Sequence, residues 1–398
     1  MRKILIGYLS FAIFSAGTYA VPLNKLEIYR GEFLRETAHI KKGKLHEAVL
    51  NNDVQEVKAL LSSKINPDSV DEKGMTPLHY AAALGEKKIA LLLIDAGADI
   101  NKKDKVGYTP LHFAAENGAS EVARLLIDRG AVINVKDRKG FTPLHRATLN
   151  GNFEVVKILV EKGADVKAKN VGGYQPIHYA SIKGYRKIAE YLLTHGADVN
   201  AKNFMGFTPL QFAVYKGNFD IVKLLCNFGA NLNDRDLHGW SPLVKAIIRG
   251  YEDIALYLID RGADIYLSTR KGEQPIHFAA GQGELKVLRK LLDKGADINV
   301  KNGIGNTPLH YAVYMGKSDV VKFLLANGAK VNVQNKNGET PLYFAVKYKR
   351  ISIVKMLLEA GADKDIKTVY GVSPLLMAKM KGYNEILRLL ESYNRVGI

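Results

Sequence analysis

The sequence predicts an all-α fold in which one helix-turn-helix unit is stacked many times. The first observation is a short pattern, Thr-Pro-Leu-His in its fullest form, that returns every 33 residues without insertion or deletion. Its ten copies begin at Thr76, Thr109, Thr142, Gln175, Thr208, Ser241, Gln274, Thr307, Thr340 and Ser373. The second observation is that two short apolar segments, ended by glycines, follow nearly every copy. A fixed period of this length is typical of a solenoid, whose units contact only their neighbours.

The elements of one unit follow from its residues. Residues 71–75 predict a turn, in which glycine supplies the positive φ that a tight turn often needs. Thr76 is a natural N-cap, and Pro77 suits the first helical position, where a missing N–H costs nothing. The first helix is expected to end at Gly85, and a second helix is expected from about Glu86 to Asp95.

Residues 1–20 predict a signal peptide. The basic Arg2 and Lys3 precede an apolar stretch from Ile4 to Phe14, and Ala20 offers a small-residue cleavage site. An uncleaved membrane anchor is the alternative. Residues 21–42 then lead into the repeats, either as a short helix or as a disordered segment.

The repeats are expected to form one domain over residues 43–398. Residues 43–70 keep the Leu and His of the pattern but lack its Pro and Gly, so they predict a degenerate capping repeat. Ten repeats cover residues 71–392, and a short C-terminal tail follows. Terminal repeats are atypical because one of their faces meets water.

Net charge and cysteine content bear on the cellular compartment in which the protein is expected to work. The formal net charge is +17, and Cys226 is the single cysteine, so no internal disulfide can form. Cys226 lies in an apolar run and is expected to be buried. A signal peptide without disulfides or Asn-x-Ser/Thr sites favours bacterial export, to the periplasm or outside the cell.

In one-letter form the unit reads D-x-x-G-x-T-P-L-H-x-A-A-x-x-G, then I-x-x-L-L, then G-A-D-I-N. This unit resembles the ankyrin repeat over residues 43–392. The resemblance implies antiparallel helix pairs whose turns project as β-hairpin fingers, and protein partners bound by the fingers and the concave helix face. Lys349 replaces the glycine that ends the first helix, so the ninth repeat is expected to be bent or extended there. The motif histidine is replaced by Gln211, Val244, Tyr343 and Leu376.

The regular histidines argue against a metal site. Neighbouring helices pack roughly 8–10 Å apart, whereas each nitrogen on a zinc ion lies about 2.0–2.1 Å from it. The resemblance implies instead that each imidazole forms a hydrogen bond to the backbone of a neighbouring turn. The set comprises His46, His79, His112, His145, His178, His277 and His310.

Catalysis is not expected. The sequence lacks G-x-S-x-G, H-E-x-x-H and G-x-x-x-x-G-K-[ST] motifs, and no repeat gathers an acid, a base and a nucleophile that the others lack. We therefore expect no catalytic residues, no cofactor, no metal and no small-molecule substrate.

One position on the second helix is cationic in most repeats and is expected to face solvent. A solvated face that aids solubility explains this basic outer stripe. The functional alternative is attraction to an anionic surface, such as lipid headgroups, lipopolysaccharide or an acidic protein, with nucleic acid least expected. The stripe comprises Lys58, Arg124, Lys157, Lys223, Arg289, Lys322, Lys355 and Arg388.

The fingers and first-helix ends of the central repeats carry aromatic and apolar residues, flanked by cations. The outer fingers are by contrast polar or charged, as at Glu72, Lys105 and Arg138. Exposed aromatic residues and Arg in a cluster are typical of a binding hot spot. The alternative, strongest for Phe207 and Trp240, is that they pack on neighbouring fingers. The candidates are Val171, Tyr174, Lys183, Phe204, Met205, Phe207, Tyr215, Lys216, Leu237, His238, Trp240, Ile248 and Arg249.

We therefore predict a monomeric, non-catalytic scaffold that binds an unidentified protein outside the cytoplasm. A rigid, preorganised surface loses little conformational entropy on binding. Two alternatives stay open: a secreted bacterial effector that captures a host protein, and an envelope-associated structural protein held by its basic outer stripe.

Overall fold

The computed structural model describes residues 40–236 and 239–393. Within these ranges the chain forms 22 helices and no strand, so the all-helical prediction is confirmed. The predicted signal peptide, most of the lead-in and the last residues of the tail lie outside the described residues. The chain divides into two compact units, Met1–Phe204 and Met205–Ile398.

The helices alternate between a first and a second helix of each repeat. In the first unit they are α1 Lys44–Leu50, α2 Val54–Ser62, α3 Pro77–Leu84, α4 Lys87–Asp95, α5 Pro110–Asn117, α6 Ser120–Asp128, α7 Pro143–Leu149, α8 Phe153–Glu161, α9 Pro176–Lys183 and α10 Arg186–Thr194. In the second unit they are α11 Pro209–Lys216, α12 Phe219–Asn227, α13 Pro242–Arg249, α14 Glu252–Asp260, α15 Pro275–Gln282, α16 Leu285–Asp293, α17 Pro308–Met315, α18 Ser318–Ala326, α19 Pro341–Lys347, α20 Ile351–Glu359, α21 Pro374–Lys381 and α22 Asn384–Ser392. None of the helices in the described ranges is both long and apolar enough to cross a membrane.

The boundaries of α3 and α4 follow the local signals in the sequence. Thr76 is extended (φ −92°, ψ 167°) and Pro77 is the first helical residue, while Gly85 ends α3 with φ 74°. Ala81 and Ala82 are fully buried, and their small side chains allow the neighbouring first helix to approach closely. The core of the repeat is completed by apolar residues from α4, such as Leu93.

The turn before each first helix, called a finger here, is not the β-hairpin that was expected. In the finger at residues 71–75, two backbone bonds close the turn, from the Asp71 N–H to the Met75 carbonyl and from the Gly74 N–H to the Asp71 carbonyl, both at 3.0 Å. The Asp71 carboxylate accepts the N–H groups of Lys73 and Met75, both at 2.8 Å. Because the side chain takes these donors, no ladder of strand bonds can form across the turn.

Neighbouring fingers are joined by single backbone hydrogen bonds within each unit. In the first unit they run from the N–H of Lys105 to Lys73 O at 2.9 Å, Arg138 to Val106 O at 3.0 Å, Val171 to Lys139 O at 3.0 Å, and Phe204 to Gly172 O at 3.2 Å. In the second unit they run from Gly303 to Lys271 O at 2.7 Å, Lys336 to Ile304 O at 2.9 Å, and Val369 to Asn337 O at 2.9 Å. One bond per neighbour fixes the position of each finger tip.

The motif histidines join neighbouring repeats, as predicted. The Nδ1 atom of the fully buried His79 accepts the Thr76 N–H at 2.9 Å, and its Nε2–H donates to the Tyr108 carbonyl at 3.1 Å. A nitrogen that accepts from an N–H carries no proton, so this imidazole is neutral. The Nε2-to-carbonyl contact recurs at 3.0–3.2 Å from His46 to Met75, His112 to Phe141, His145 to Tyr174, His178 to Ala201, His277 to Asn306 and His310 to Glu339.

Gln211 reproduces the histidine contacts with an amide. Its Oε1 accepts the Thr208 N–H at 3.0 Å, and its Nε2 donates to the carbonyls of Asp234 at 2.9 Å and Trp240 at 3.2 Å. The hydrocarbon side chain of Val244, at the same position of the next repeat, has no donor to offer. The replacement at Gln211 is therefore conservative in structure, although it looks like a departure in sequence.

The first helix of the ninth repeat is not extended at Lys349, and the bend that was also expected there stays a prediction. Helix α19 ends with Lys347, and Lys349 adopts φ 53°, close to the left-handed conformation that glycine takes elsewhere. The Lys349 ammonium lies 4.4 Å from the centre of the Tyr383 ring. The repeat geometry therefore overrides the preference of lysine for negative φ, at the cost of local strain.

Candidate functional site

The histidines are placed for structure and not for chemistry. His79, His112, His145 and His310 are fully buried, and burial lowers the pKa of each to about 4. A general base for neutral solution needs a pKa near 7 and access to a substrate. In residues 40–236 and 239–393, no group of three or more His, Cys, Asp or Glu side chains is placed to hold a metal ion.

Cys226 is buried in α12, as expected from its apolar run. Burial raises the pKa of its thiol to about 11. The thiolate is the reactive form of cysteine, so the side chain is not prepared for nucleophilic attack.

Buried charges between a finger and its first helix are a feature that sequence reasoning missed. Residue pairs nine positions apart meet at this place in several repeats. The Asp137 carboxylate accepts from the Arg146 guanidinium, with both side chains less than a tenth exposed. The related contacts are Tyr80 OH to Asp71 at 2.7 Å, Lys245 Nζ to Asp236 at 2.6 Å, Asn170 to Tyr179 OH at 2.8 Å, and Asn302 to Tyr311 OH at 3.0 Å. The sequence signal is an acid or amide nine residues before a base or a tyrosine.

Two of the candidate binding residues of the first unit are strongly exposed. Val171 is 64% exposed and Phe204 is 68% exposed, and both occupy the position directly after the Asn that opens the finger. The Phe204 ring lies against the backbone of Gly173, where an added Cβ would come within 2.8 Å of it. The glycine therefore supports one face of the ring and leaves the rest in solvent. Lys183 is half-buried at the end of α9.

Tyr174 is structural rather than exposed. Its ring is half-buried and stacks on Tyr179 with centroids 5.5 Å apart, and it meets the His178 ring edge-on at 5.8 Å. These ring contacts are with α9, the first helix of its own repeat, and a role for Tyr174 in binding stays a prediction. Burial raises the pKa of its phenol above the ordinary value.

Phe207 and Trp240, in the second unit, cover a buried charge. The Lys245 ammonium lies 4.6 Å from the centre of the Phe207 ring and 5.4 Å from that of Trp240, while it binds the Asp236 carboxylate. Burial lowers the pKa of Lys245, and the nearby carboxylate opposes that shift. Both aromatic residues are half-buried, so their main role is packing on this ion pair. Met205 is also half-buried, and Leu237 and His238 lie outside the described residues.

A separate cluster of the second unit forms at the ends of α11 and α13. The Arg249 guanidinium stacks over the Tyr215 ring at 4.0 Å, and the Lys216 ammonium lies 5.6 Å from the centre of that ring. Tyr215, Ile248 and Arg249 are half-buried, whereas Lys216 is exposed. The structure thus brings two cations and an aromatic ring together here.

Exposed apolar finger residues are not confined to the central repeats. Val106 is 52% exposed, Ile304 is 54% exposed and Tyr370 is 82% exposed, and all three occupy finger tips of other repeats. The contrast between polar outer fingers and apolar central fingers is therefore weaker than the sequence suggested. In these three fingers the exposed apolar residue lies two positions after the first residue of the finger, whereas Val171 and Phe204 lie one position after it.

The basic outer stripe lies on the exposed side of the second helices, as its spacing predicts. Lys223 is half-buried over the Phe219 ring at 4.1 Å, and the other seven residues are exposed. Neighbouring second helices also exchange ion pairs across the repeat boundary. These pairs join Lys87 to Glu121 at 2.6 Å, Arg129 to Asp95 at 2.7 Å, Lys162 to Asp128 at 2.8 Å, Lys286 to Glu252 at 2.7 Å and Lys290 to Asp260 at 2.6 Å.

The comparisons with known proteins cover nearly all of the repeats. The family model described as ankyrin repeats (3 copies) matches residues 45–137, 102–170, 133–203, 203–269, 266–335 and 325–397. Ankyrin repeat protein FPV219 of fowlpox virus is 42% identical over 60 residues, which are 15% of this chain and 14% of that protein.

Two further relatives match over similarly short stretches. Ankyrin repeat protein FPV223 of fowlpox virus is 38% identical over 50 residues, 13% of this chain and 36% of that protein. Human protein phosphatase 1 regulatory subunit 27 is 46% identical over 55 residues, 14% of this chain and 36% of that protein. Each match spans between 14% and 36% of the relative's own length.

Proposed function

Because the chain belongs to the ankyrin-repeat family, we propose that it is a non-catalytic scaffold that binds a protein partner through its finger tips. The observation that carries the proposal is a division of roles within each repeat. Most positions of the Thr-Pro-Leu-His pattern are buried, whereas the finger tips are exposed and differ from repeat to repeat. Side chains that vary without disturbing the stack are the ones that can be fitted to a partner.

In the first unit, Val171 and Phe204 are the proposed apolar anchors. Both are large, more than half exposed, and carried by fingers whose backbones are bonded to their neighbours. An aromatic ring already held against Gly173 loses little side-chain entropy when a partner covers its free face. Burying such a ring removes it from water, which favours binding.

In the second unit, Tyr215 is the proposed contact, with Lys216 and Arg249 beside it. The Tyr215 ring offers apolar surface to a partner, and the two cations beside it would attract a carboxylate. This contact is independent of the first and is tested separately.

The experiment is quantitative affinity capture, with the full chain as bait and bound proteins identified by mass spectrometry. Val171→Ser with Phe204→Ser is expected to lower the recovery of the specific partner at least tenfold. Val132→Ser is the matched control, because Val132 is 54% exposed on the same unit but lies outside the finger tips, and this variant is expected to retain capture. Unchanged recovery with the double variant, at unchanged circular dichroism, would reject the anchors. Tyr215→Ala tests the second contact in the same assay.

Export is a further part of the proposal. Its support is the order of a basic start at Arg2 and Lys3, an apolar stretch, and a small residue at Ala20. We expect the mature protein to begin at Val21 and to be recovered from the periplasm or the culture fluid. N-terminal sequencing after fractionation decides this, because a chain that still begins at Met1 in the cytoplasm contradicts export. Recovery from the culture fluid favours an effector, and recovery from the periplasm favours an envelope scaffold.

The phosphatase named in one relative is not carried over to this chain. The shared stretch is only 55 residues, 14% of this chain. The finger tips that would select a partner differ between repeats even within this chain.

A further inference from the structure

The fingers of the first unit carry a concentration of positive charge that the outer stripe does not include. Seven cationic residues lie on the finger tips or directly before them, and all are exposed. We call this set the basic finger edge. It comprises Lys73, Lys103, Lys105, Lys136, Arg138, Lys139 and Lys169.

The acidic residues of the same fingers do not neutralise this edge. Asp71 accepts the Tyr80 hydroxyl, Asp137 pairs with the buried Arg146, and Asp104 accepts the N–H groups of its own turn. Among the described finger segments of the first unit, Glu72 is the exposed acidic residue. The carboxylates therefore point into the repeat while the cations point outward.

Two cations of the edge donate to backbone carbonyls rather than to carboxylates. The Lys103 ammonium donates to Lys136 O at 3.3 Å, and the Lys136 ammonium donates to Lys169 O at 2.9 Å. None of the ion pairs within the described residues includes a member of the basic finger edge. A carbonyl bond orients an ammonium group but leaves its charge in place.

The second helices of the same unit behave differently. Their cations Lys87, Arg129 and Lys162 each pair with a carboxylate of the neighbouring repeat within 2.6–2.8 Å. Ion pairs between repeats therefore neutralise part of the positive charge on the second helices, whereas among the described residues no ion pair neutralises the basic finger edge.

Apolar side chains are interleaved with these cations. Val106 follows Lys105 on one tip, the next finger carries Arg138 and Lys139, and Val171 and Phe204 occupy the two fingers after that. A partner that complements this surface needs carboxylates and apolar side chains in the same segment. A phosphate backbone offers the charge but no matching apolar groups.

We propose that the basic finger edge of the first unit binds an acidic segment of a protein, in which Asp or Glu alternates with apolar residues. This inference rests on the proposed scaffold function and supplies the chemistry of one partner. Binding is driven by charge attraction at the edge, and the apolar tips Val106, Val171 and Phe204 select the segment.

The test is fluorescence anisotropy of the full chain with a labelled 16-residue peptide of alternating Glu and Leu. We expect saturable binding at 50 mM NaCl that weakens at least tenfold at 300 mM NaCl, because salt screens exposed charge. Lys105→Glu, Arg138→Glu and Lys139→Glu together are expected to weaken binding at least tenfold. The matched control reverses three charges of the outer stripe in the same unit, Lys58→Glu, Arg124→Glu and Lys157→Glu, and is expected to stay within twofold of wild type.

Several results would overturn the inference. They are no binding of the peptide at 50 mM NaCl, equal losses in the two triple variants at unchanged circular dichroism, and tighter binding of a single-stranded oligonucleotide or of vesicles containing phosphatidylserine. If affinity capture still recovers a specific partner in any of these cases, the proposed scaffold function is retained and the proposal of an acidic partner segment is rejected. Peptide binding without any captured partner supports the edge and counts against the scaffold function alone.

Discussion

Acid is expected to destabilise the protein through its buried histidines, and His145 allows the effect to be isolated. Its Nδ1 accepts the Thr142 N–H at 3.2 Å, and its Nε2–H donates to Tyr174 O at 3.0 Å. The proposed perturbation is His145→Gln, because Gln211 makes the same two contacts naturally at 3.0 and 3.2 Å. The variant keeps the bonds and removes the titrating group.

The magnitude follows from the pKa of His145, which burial lowers from 6.5 to about 4. The charges of Arg146 and Lys136 lower it further, and Asp137 opposes them. Between pH 6.5 and 4 the unfolded chain binds a proton that the folded chain does not. The stabilisation is therefore complete above pH 6.5 and is lost as the pH falls towards 4. At pH 4.5 the loss amounts to about 2.5 kcal/mol for this histidine.

The assay is urea unfolding followed by circular dichroism at pH 7.5 and pH 4.5. The wild type is expected to lose about 2.5 kcal/mol more free energy of unfolding between these pH values than His145→Gln. His145→Leu is the control, since it also removes the titration but leaves Tyr174 O and the Thr142 N–H without partners. It should be less stable than His145→Gln at both pH values. The reasoning is refuted if His145→Gln and the wild type lose the same stability on acidification.

Three further predictions concern strain and burial. Arg146→Leu leaves the Asp137 carboxylate buried without its partner and should lower the free energy of unfolding by about 3–5 kcal/mol in urea; Asp137→Asn with Arg146→Tyr should restore most of it. Lys349→Gly relieves a φ of 53° and should raise the free energy of unfolding by about 1 kcal/mol in thermal melts, whereas Gly250→Lys should lower it. Cys226 should resist iodoacetamide at pH 8 in the native protein and react fully in urea, as a mass shift would report, because burial raises its thiol pKa to about 11.

The period of the sequence determined most of what could be predicted about the fold. Thr76, Pro77 and Gly85 each carry a local backbone preference, so the start and end of α3 could be read from them. The hydrogen bonds of His79 followed from the resemblance, because the same residue must meet the same surroundings in each repeat. The helix boundaries and the histidine contacts recur in most repeats, so they could be predicted by comparing the repeats of this one sequence with each other.

The features that failed prediction depend on side chains meeting across a repeat. Packing was the strongest alternative for Phe207 and Trp240, but the sequence did not show that both would lie over the ammonium of Lys245, which is on a helix and not on a finger. Asp236 and Lys245 are nine residues apart and lie in different elements, so neither helical nor strand periodicity predicts that they pair. The expected hairpin also failed, because one aspartate side chain took the donors that a strand ladder requires.

The motif histidines donate to main-chain carbonyls, and this affects which insertions and deletions of repeats the gene can tolerate. A bond to a carbonyl is indifferent to the side chain that the neighbouring repeat carries, as the contacts to Tyr108, Phe141 and Asn306 illustrate. Recombination between two copies in the gene would therefore delete or add 33 residues and still join compatible repeats. Finger-tip residues whose side chains do not pack on a neighbouring repeat can likewise be exchanged without compensating changes in that repeat. Length and recognition are thus free to evolve separately from the contacts that keep the repeats together.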